Sequence, residues 1–257
     1  MTPIEKAENA LNRRIERLQA ALREAKSERA RQFVFQSLVV CLGLGEALKD
    51  YVRMIGQYAQ GRHRELKQAH DALTAQHADL LKSGHALLER FKAAPTDRAL
   101  RQEIERAQHA MTAIQKTLRR GANSLQREIA PSMALIDKLA DSVRRLAEAD
   151  QIETLKRVTR LVLGQARELY RAQPTLPSKD IIDAAAWEKS AVSAIDEATD
   201  FHEAYARAGF QAMLALDVMT MAVSPAPPRT TDEAIQRANE SVSARLKGIT
   251  ARFATSN

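Results

Sequence analysis

An all-α fold, an elongated bundle of about four helices with the first two very long and antiparallel, is the class this sequence predicts. Three observations predict it. Nine glycines, eight prolines and 4% aromatics, against abundant Ala, Leu, Arg, Glu and Gln, describe a helix-forming composition. Period-2 alternation of β-branched residues is nowhere sustained, so no strand can be placed. Prolines at 95, 174, 177 and within "SPAPP" (224–228) cut the chain into long segments with helical periodicity, because each ring removes a donor and clashes with the preceding turn.

The first helix spans about 3–93. In "TPIE", Thr2 is a natural N-cap, Pro3 suits the first helical position and Glu5 stands where its carboxylate can reach back to a free N–H. "LNRRIERLQAAL" follows with Leu11, Ile15, Leu18 and Leu22 on one stripe. Then comes "FVFQSLVVCLGLGEAL", whose residues 33–45 carry no charge, before Gly56 and Gly61 loosen the helix. The second helix, about 97–172, starts after Pro95 and should kink at Pro131 in "EIAPSM". The third, 179–223, holds the other apolar segment, "FQAMLALDVMTMAV". The fourth, 231–253, opens on "TTDE", a second capping device with Thr230 and Glu233.

Helices joined by a short loop pack antiparallel, so partners on the first two should have numbers summing to about 190. The tract "SVRRLAEADQIETLKR" that falls opposite the apolar stretch is too polar to cover it alone. Folding the third helix back about Pro177 lays residues 187–223 beside 23–59 and supplies the missing cover. The predicted organisation is therefore a bundle core, 1–61 and 129–257, and a two-helix antiparallel coiled-coil arm, 62–128, projecting roughly 50 Å. Leu66, Leu73, Leu80, Leu81, Leu87, Leu88 and Phe91 line one strand of the arm; Leu100, Ile104, Met111, Ile114, Leu118 and Leu125 line the other. A lone hairpin buries little apolar surface, so the fourth helix or a second subunit is expected to brace it.

Residues 33–45 would cover only about 20 Å as a helix, short of the roughly 30 Å hydrocarbon core of a bilayer. Arg29 and Arg31 close one end and Glu46, Lys49 and Asp50 the other, which argues for burial in protein. The N-terminus lacks the apolar core of a secretory signal. The single cysteine, Cys41, cannot form an internal disulfide, so a reducing, cytoplasmic compartment is expected, to which the basic helix faces add peripheral membrane attachment.

No catalytic constellation emerges. His63, His70 and His77 share a face but stand about 10 Å apart in turn, too far to share a metal. No histidine has Glu three residues before it, which excludes the di-iron bundle motif. "GQYAQGRH" has Arg62 and His63 where a phosphate-binding loop needs Lys and Ser or Thr. Cys41 has no basic neighbour in sequence and reads as a packing thiol. No cofactor and no metal is expected. Asp217 falls among Phe210, Leu214 and Met221 and needs a partner if buried; the register offers Arg53 as a buried ion pair, with a ligand site of Asp137 and Asp217 as the alternative.

Charge carries the functional expectation. Residues 1–94 hold 16 Lys/Arg against 11 Asp/Glu and residues 95–174 hold 15 against 10, each +5, while 175–257 are −3. The register gathers Arg53, Arg62, Arg64, Lys116, Arg119, Arg120 and Arg127 along the arm as a candidate anionic-surface site. Aromatics are nearly absent among them, which disfavours single-strand stacking. The outline of long kinked helices with basic faces resembles BAR-type membrane-curvature modules, which implies a dimer on a membrane surface. The expected function is a non-enzymatic, self-associating helical scaffold or adaptor. Its partners would be a second copy (a dimer favoured) and an anionic membrane surface or acidic protein. A nucleic-acid-associated protein and an α-helical pore-forming protein are the alternatives.

Overall fold

The computed structural model describes residues 1–121, 124–172, 184–224, 226–228 and 230–254, with the side chains of 124–126, 128, 170–172, 184, 185 and 231 excepted. The described residues are all-α, with no strand. Eight helices follow in order: α1 Pro3–Glu24, α2 Glu28–Ala93, α3 Arg98–Gly121, α4 Ser124–Glu148, α5 Ile152–Ala172, α6 Ala184–Asp196, α7 Phe201–Ala222 and α8 Thr231–Ala254. The expected breaks at Pro174, Pro177 and Pro225, the start of the third helix and the side chain of Leu125 lie outside the described residues.

The four expected segments are subdivided by turns that no proline marks. At 25–27 the chain leaves α1 through Ala25 and Ser27 caps α2, its Oγ accepting from Ala30 N at 3.2 Å. At 149–151 the polar tract breaks between α4 and α5. At 197–200, Asp200 caps α7 by accepting from Glu203 N at 2.9 Å, while the Glu203 carboxylate accepts from Thr199 N at 2.8 Å. The capping devices at the chain's ends are as read: Thr2 N donates to Glu5 Oε2 at 2.7 Å, Glu5 N donates to Thr2 Oγ1 at 3.2 Å, and Glu233 N donates to Thr230 Oγ1 at 3.1 Å.

The chain divides into two compact units, Met1–Tyr58 with Pro131–Asn257, and Ala59–Ala130. In the first, the uncharged stretch of α2 is the centre of the core: Val34, Leu38, Val40, Cys41, Leu44 and Leu48 are buried. Neighbours surround it. Because of the break at 25–27, α1 turns back along α2, with Leu11 Cδ1 at 3.6 Å from where a Gly45 Cβ would stand and Lys49 at 3.4 Å from Glu8. Antiparallel α4 reaches it where Tyr51 Oη donates to the Ser132 carbonyl at 3.3 Å.

The third neighbour, α7, runs parallel to α2, its position fixed by two glycines. A Cβ on Gly209 would stand 2.2 Å from Val40 Cγ1, and one on Gly43 2.6 Å from Met213 Sδ. Pairing Gly43 with Met213 shifts the register by about six residues from the predicted one, which took 179–223 as one helix where the chain breaks at 197–200. The Ser37 hydroxyl, buried in the same seam, donates to the His202 carbonyl at 2.8 Å. One 18-residue window of α2 has a mean hydropathy of 1.2, long and apolar enough to cross a membrane by length and composition; 56% of it is buried within the protein.

The fourth expected helix belongs to the first unit. As α8 it packs antiparallel on α2 within the first unit, with Phe253 edge-on to Phe35 at 5.6 Å, Leu246 beside Gly43 and Arg252 bonded to Glu46 at 2.7 Å. Its apolar positions Ala234, Ala238, Val242 and Ile249 are buried, and that burial decides where it docks.

In the second unit α2 and α3 pair antiparallel. Gln115 Nε2 lies 3.1 Å from His77 Nε2, Met111 Cε lies 3.9 Å from a Gly84 Cβ position, and Arg101 sits over the Phe91 ring at 5.9 Å. These partners sum to about 192–195. Asp97 caps α3 after Pro95, accepting from Ala99 N at 2.9 Å and Leu100 N at 3.1 Å.

Candidate functional site

Leu100 and Ile114 are the buried apolar residues of α3, which turns this stripe toward α2. Positions 112, 116, 119 and 120 then share the opposite, outer side, with 115 on the flank between the two. There Thr112, Gln115, Lys116, Arg119 and Arg120 line a cleft of about 420 Å³ that Arg127 of α4 closes. All four cations are exposed. None makes an ion pair among the described residues, and no acid lines the cleft among them. The neutral lining is already committed: Thr112 Oγ1 donates to the Gln108 carbonyl at 2.9 Å and the Gln115 amide meets His77.

Four like charges around one concavity repel. In water a pair about 8 Å apart costs about 0.5 kcal/mol, so several such pairs leave a surface that a multivalent anion relieves. The cleft can bind negative charge through point contacts and guanidinium forks, which suit phosphate and carboxylate oxygens. It has no aromatic wall and no nucleophile among the described residues.

The structure brings together Lys116, Arg119, Arg120 and Arg127 of the seven predicted residues. Arg62 and Arg64 belong to the same unit but are not among the lining residues; Arg62 is ion-paired with Glu65. Arg53 belongs to the other unit, where Asp50 holds it at 2.8 Å.

The predicted Arg53–Asp217 pair is corrected. Asp217 is buried, 3% exposed, and its partner is Arg245 of α8, whose Nη1 and Nη2 reach Oδ2 and Oδ1 at 2.9 and 3.0 Å. Arg245 Nη2 also reaches Asp50 Oδ2 at 3.3 Å, so Asp50 bridges the buried pair to Arg53 at the surface. Burial works against the Arg245 charge, yet hydrogen bonds and charge from Asp217 and Asp50 raise its pKa above the ordinary value. Asp137 takes no part; it lines a separate cleft between α1 and α4. No group of three or more metal-ligating side chains occurs among the described residues.

That second cleft, about 930 Å³, is the larger, but its charges answer one another. Arg13 pairs with Glu148 at 3.2 Å and Arg144 with Asp141 at 2.8 Å. The Arg144 hydrogen bond holds the Asp141 carboxyl below its usual range. The first pair ties α1 to α4, the second lies within α4, and the cleft mixes both signs of charge.

Sequence reasoning missed a buried polar cluster. Arg14 of α1 lies over the rings of Phe201 and Tyr205 at 5.1 and 4.6 Å and donates to the Ala149 carbonyl at 3.2 Å. Beside it, burial and then the Arg14 charge lower the His202 pKa. Cys41 lies in the same region, its Sγ 3.7 Å from the Leu11 carbonyl and its thiol pushed up by burial to about 11, which makes it a packing group. Nothing in the spacing of Arg14 distinguishes it from Arg13 or Arg17, so no sequence signal could have found it. Comparison of the chain with protein-family models, with curated proteins and with solved structures finds no match.

Proposed function

We propose that this protein is a non-enzymatic helical adaptor whose 59–130 hairpin engages an anionic membrane surface through the cleft of Lys116, Arg119, Arg120 and Arg127. One observation carries the reading: four cations with no acid partner among the described residues converge on a single concavity. Elsewhere about half of the described arginines hold carboxylates, Arg13, Arg144, Arg207 and Arg245 among them, so the gathering of four unpaired cations on one concavity, rather than the lack of a partner alone, sets the cleft apart. Each basic residue near an anionic bilayer contributes about 1 kcal/mol, so four acting together give a useful affinity without an apolar anchor. The absence of aromatic walls in the described lining favours a phosphate-bearing surface over splayed bases.

Cosedimentation tests this. The protein should pellet with vesicles containing phosphatidylserine and remain in solution with phosphatidylcholine alone, and the bound fraction should fall as salt rises. Equal binding to both vesicle types removes the electrostatic reading. Binding to duplex DNA with no binding to anionic vesicles transfers the cleft to a nucleic-acid role.

A further inference from the structure

The hairpin also carries an apolar groove, and its geometry says what fills it. Toward α3, α2 presents Leu73, His77, Leu80, Gly84, Leu87 and Phe91, all half-buried at alternating spacings of four and three. Leu81 and Leu88 stand beside that seam, 41% and 43% exposed, and with His85, Ile104 and Met111 border a groove of about 100 Å³. Among the described residues the large exposed hydrophobics are Met1, Leu81, Leu88, Met133 and Leu161, so two of five fall here. The buried hydrophobic residues of the unit are Leu100, Ile114 and Ile129 among those described, a small core for a unit of this length.

We propose that this groove is an isologous contact: α2 around His85, with Ile104 and Met111 of α3, packs against the same surface of a second copy of this chain. Leu81 and Leu88 are seven residues apart on the flank of α2 nearer α3. Lys82 and Glu89, also seven apart, lie on the flank away from α3. A two-fold axis level with His85 runs the two α2 segments antiparallel, with partner numbers summing to about 170. Such an axis brings like flank to like flank. Leu81 then meets the second copy's Leu88 and Lys82 meets the second copy's Glu89, and both contacts occur twice.

A parallel pair in register, related by a two-fold axis along the helices, would bring unlike flanks together and set Lys82 against the second copy's Leu81, so the opposite charges meet in the antiparallel arrangement and not in the parallel one. Glu89 is held at present by Lys92 of its own helix at 2.7 Å, with both side chains about 70% exposed, an ion pair weak enough to exchange. The product is a four-helix packing that buries Leu81 and Leu88 and enlarges the hairpin's small core. This contact does not depend on the anionic-surface reading, and the test below involves no lipid.

Sedimentation velocity of the full chain at micromolar concentrations, with Lys82→Glu, Glu89→Lys and the double swap, decides the matter. The wild type should sediment as a concentration-dependent dimer. Each single reversal creates two like-charge contacts and should weaken the dimer by about tenfold or more. The double swap restores both pairs and should return the dissociation constant to within about threefold of wild type. Leu88→Gln should weaken dimerisation with either charge arrangement. A wild type that remains monomeric overturns the proposal, and so do single reversals without effect or a double swap no tighter than the single variants.

Discussion

Asp217, 3% exposed, is met at both its oxygens by Arg245, and Asp50 secures the pair at its outer edge. Removing one member strands the other: Asp217→Ala should cost about 3 kcal/mol in urea unfolding, and adding Arg245→Met should recover much of it. Arg53→Met, which touches only the exposed end at Asp50, should change stability by less than about 0.5 kcal/mol and add independently. A second residue sets a pH limit. His202 has its pKa lowered in the folded protein by burial and by Arg14, so the unfolded chain binds the proton more readily. Stability should therefore be full above the unfolded value near 6.5 and decline as pH falls below it, and His202→Gln should flatten that decline in thermal melts. The burial of Asp217 was legible from its apolar neighbours in α7. Its partner was not, because Arg245 comes from a helix that sequence spacing could not place against α2.

At the scale of elements, caps and prolines were the readable marks. The Thr2–Glu5 and Thr230–Glu233 devices, the turn at Pro95 and the internal Pro131 all stand in the structure. The turns at 25–27, 149–151 and 197–200 escaped because none of them contains a proline or glycine. Even so, "TDFHE" contained a legible cap in Asp200 with Glu203, and Ser27 contained another. Those turns matter physically, since the first lets α1 cover α2 and the last sets where α7 meets it. The α2–α7 contact rests on missing Cβ atoms, and the two glycines differ in what they face. Gly209→Ala drives a methyl into the branched Val40, which cannot move aside, and should cost about 1–3 kcal/mol. Gly43→Ala meets the flexible Met213 thioether and should cost less. Equal losses in thermal denaturation would show that the close approach at Gly209 does not hold the two helices.

For the molecule as a whole, the all-α class and the burial of residues 33–45 followed from composition and from a polarity mismatch between helices. The basic site was legible only as a crowd of seven residues. The side-chain directions of α3 and α4 reduce it to four around one cleft, while acids claim Arg53 and Arg62. That sorting required knowing which flank of α3 faces α2 and which carboxylates lie nearby, neither of which periodicity supplies. The account's central claim is that these four cations bind an anionic membrane surface, and one measurement addresses it most directly: cosedimentation of a variant carrying Lys116→Glu, Arg119→Glu, Arg120→Glu and Arg127→Glu with phosphatidylserine vesicles. At about 1 kcal/mol for each basic residue, binding should fall by two orders of magnitude or more, while the thermal midpoint barely moves because the replaced groups are exposed and make no ion pair among the described residues. Undiminished binding by a folded variant would contradict the claim and place the contact elsewhere on the protein.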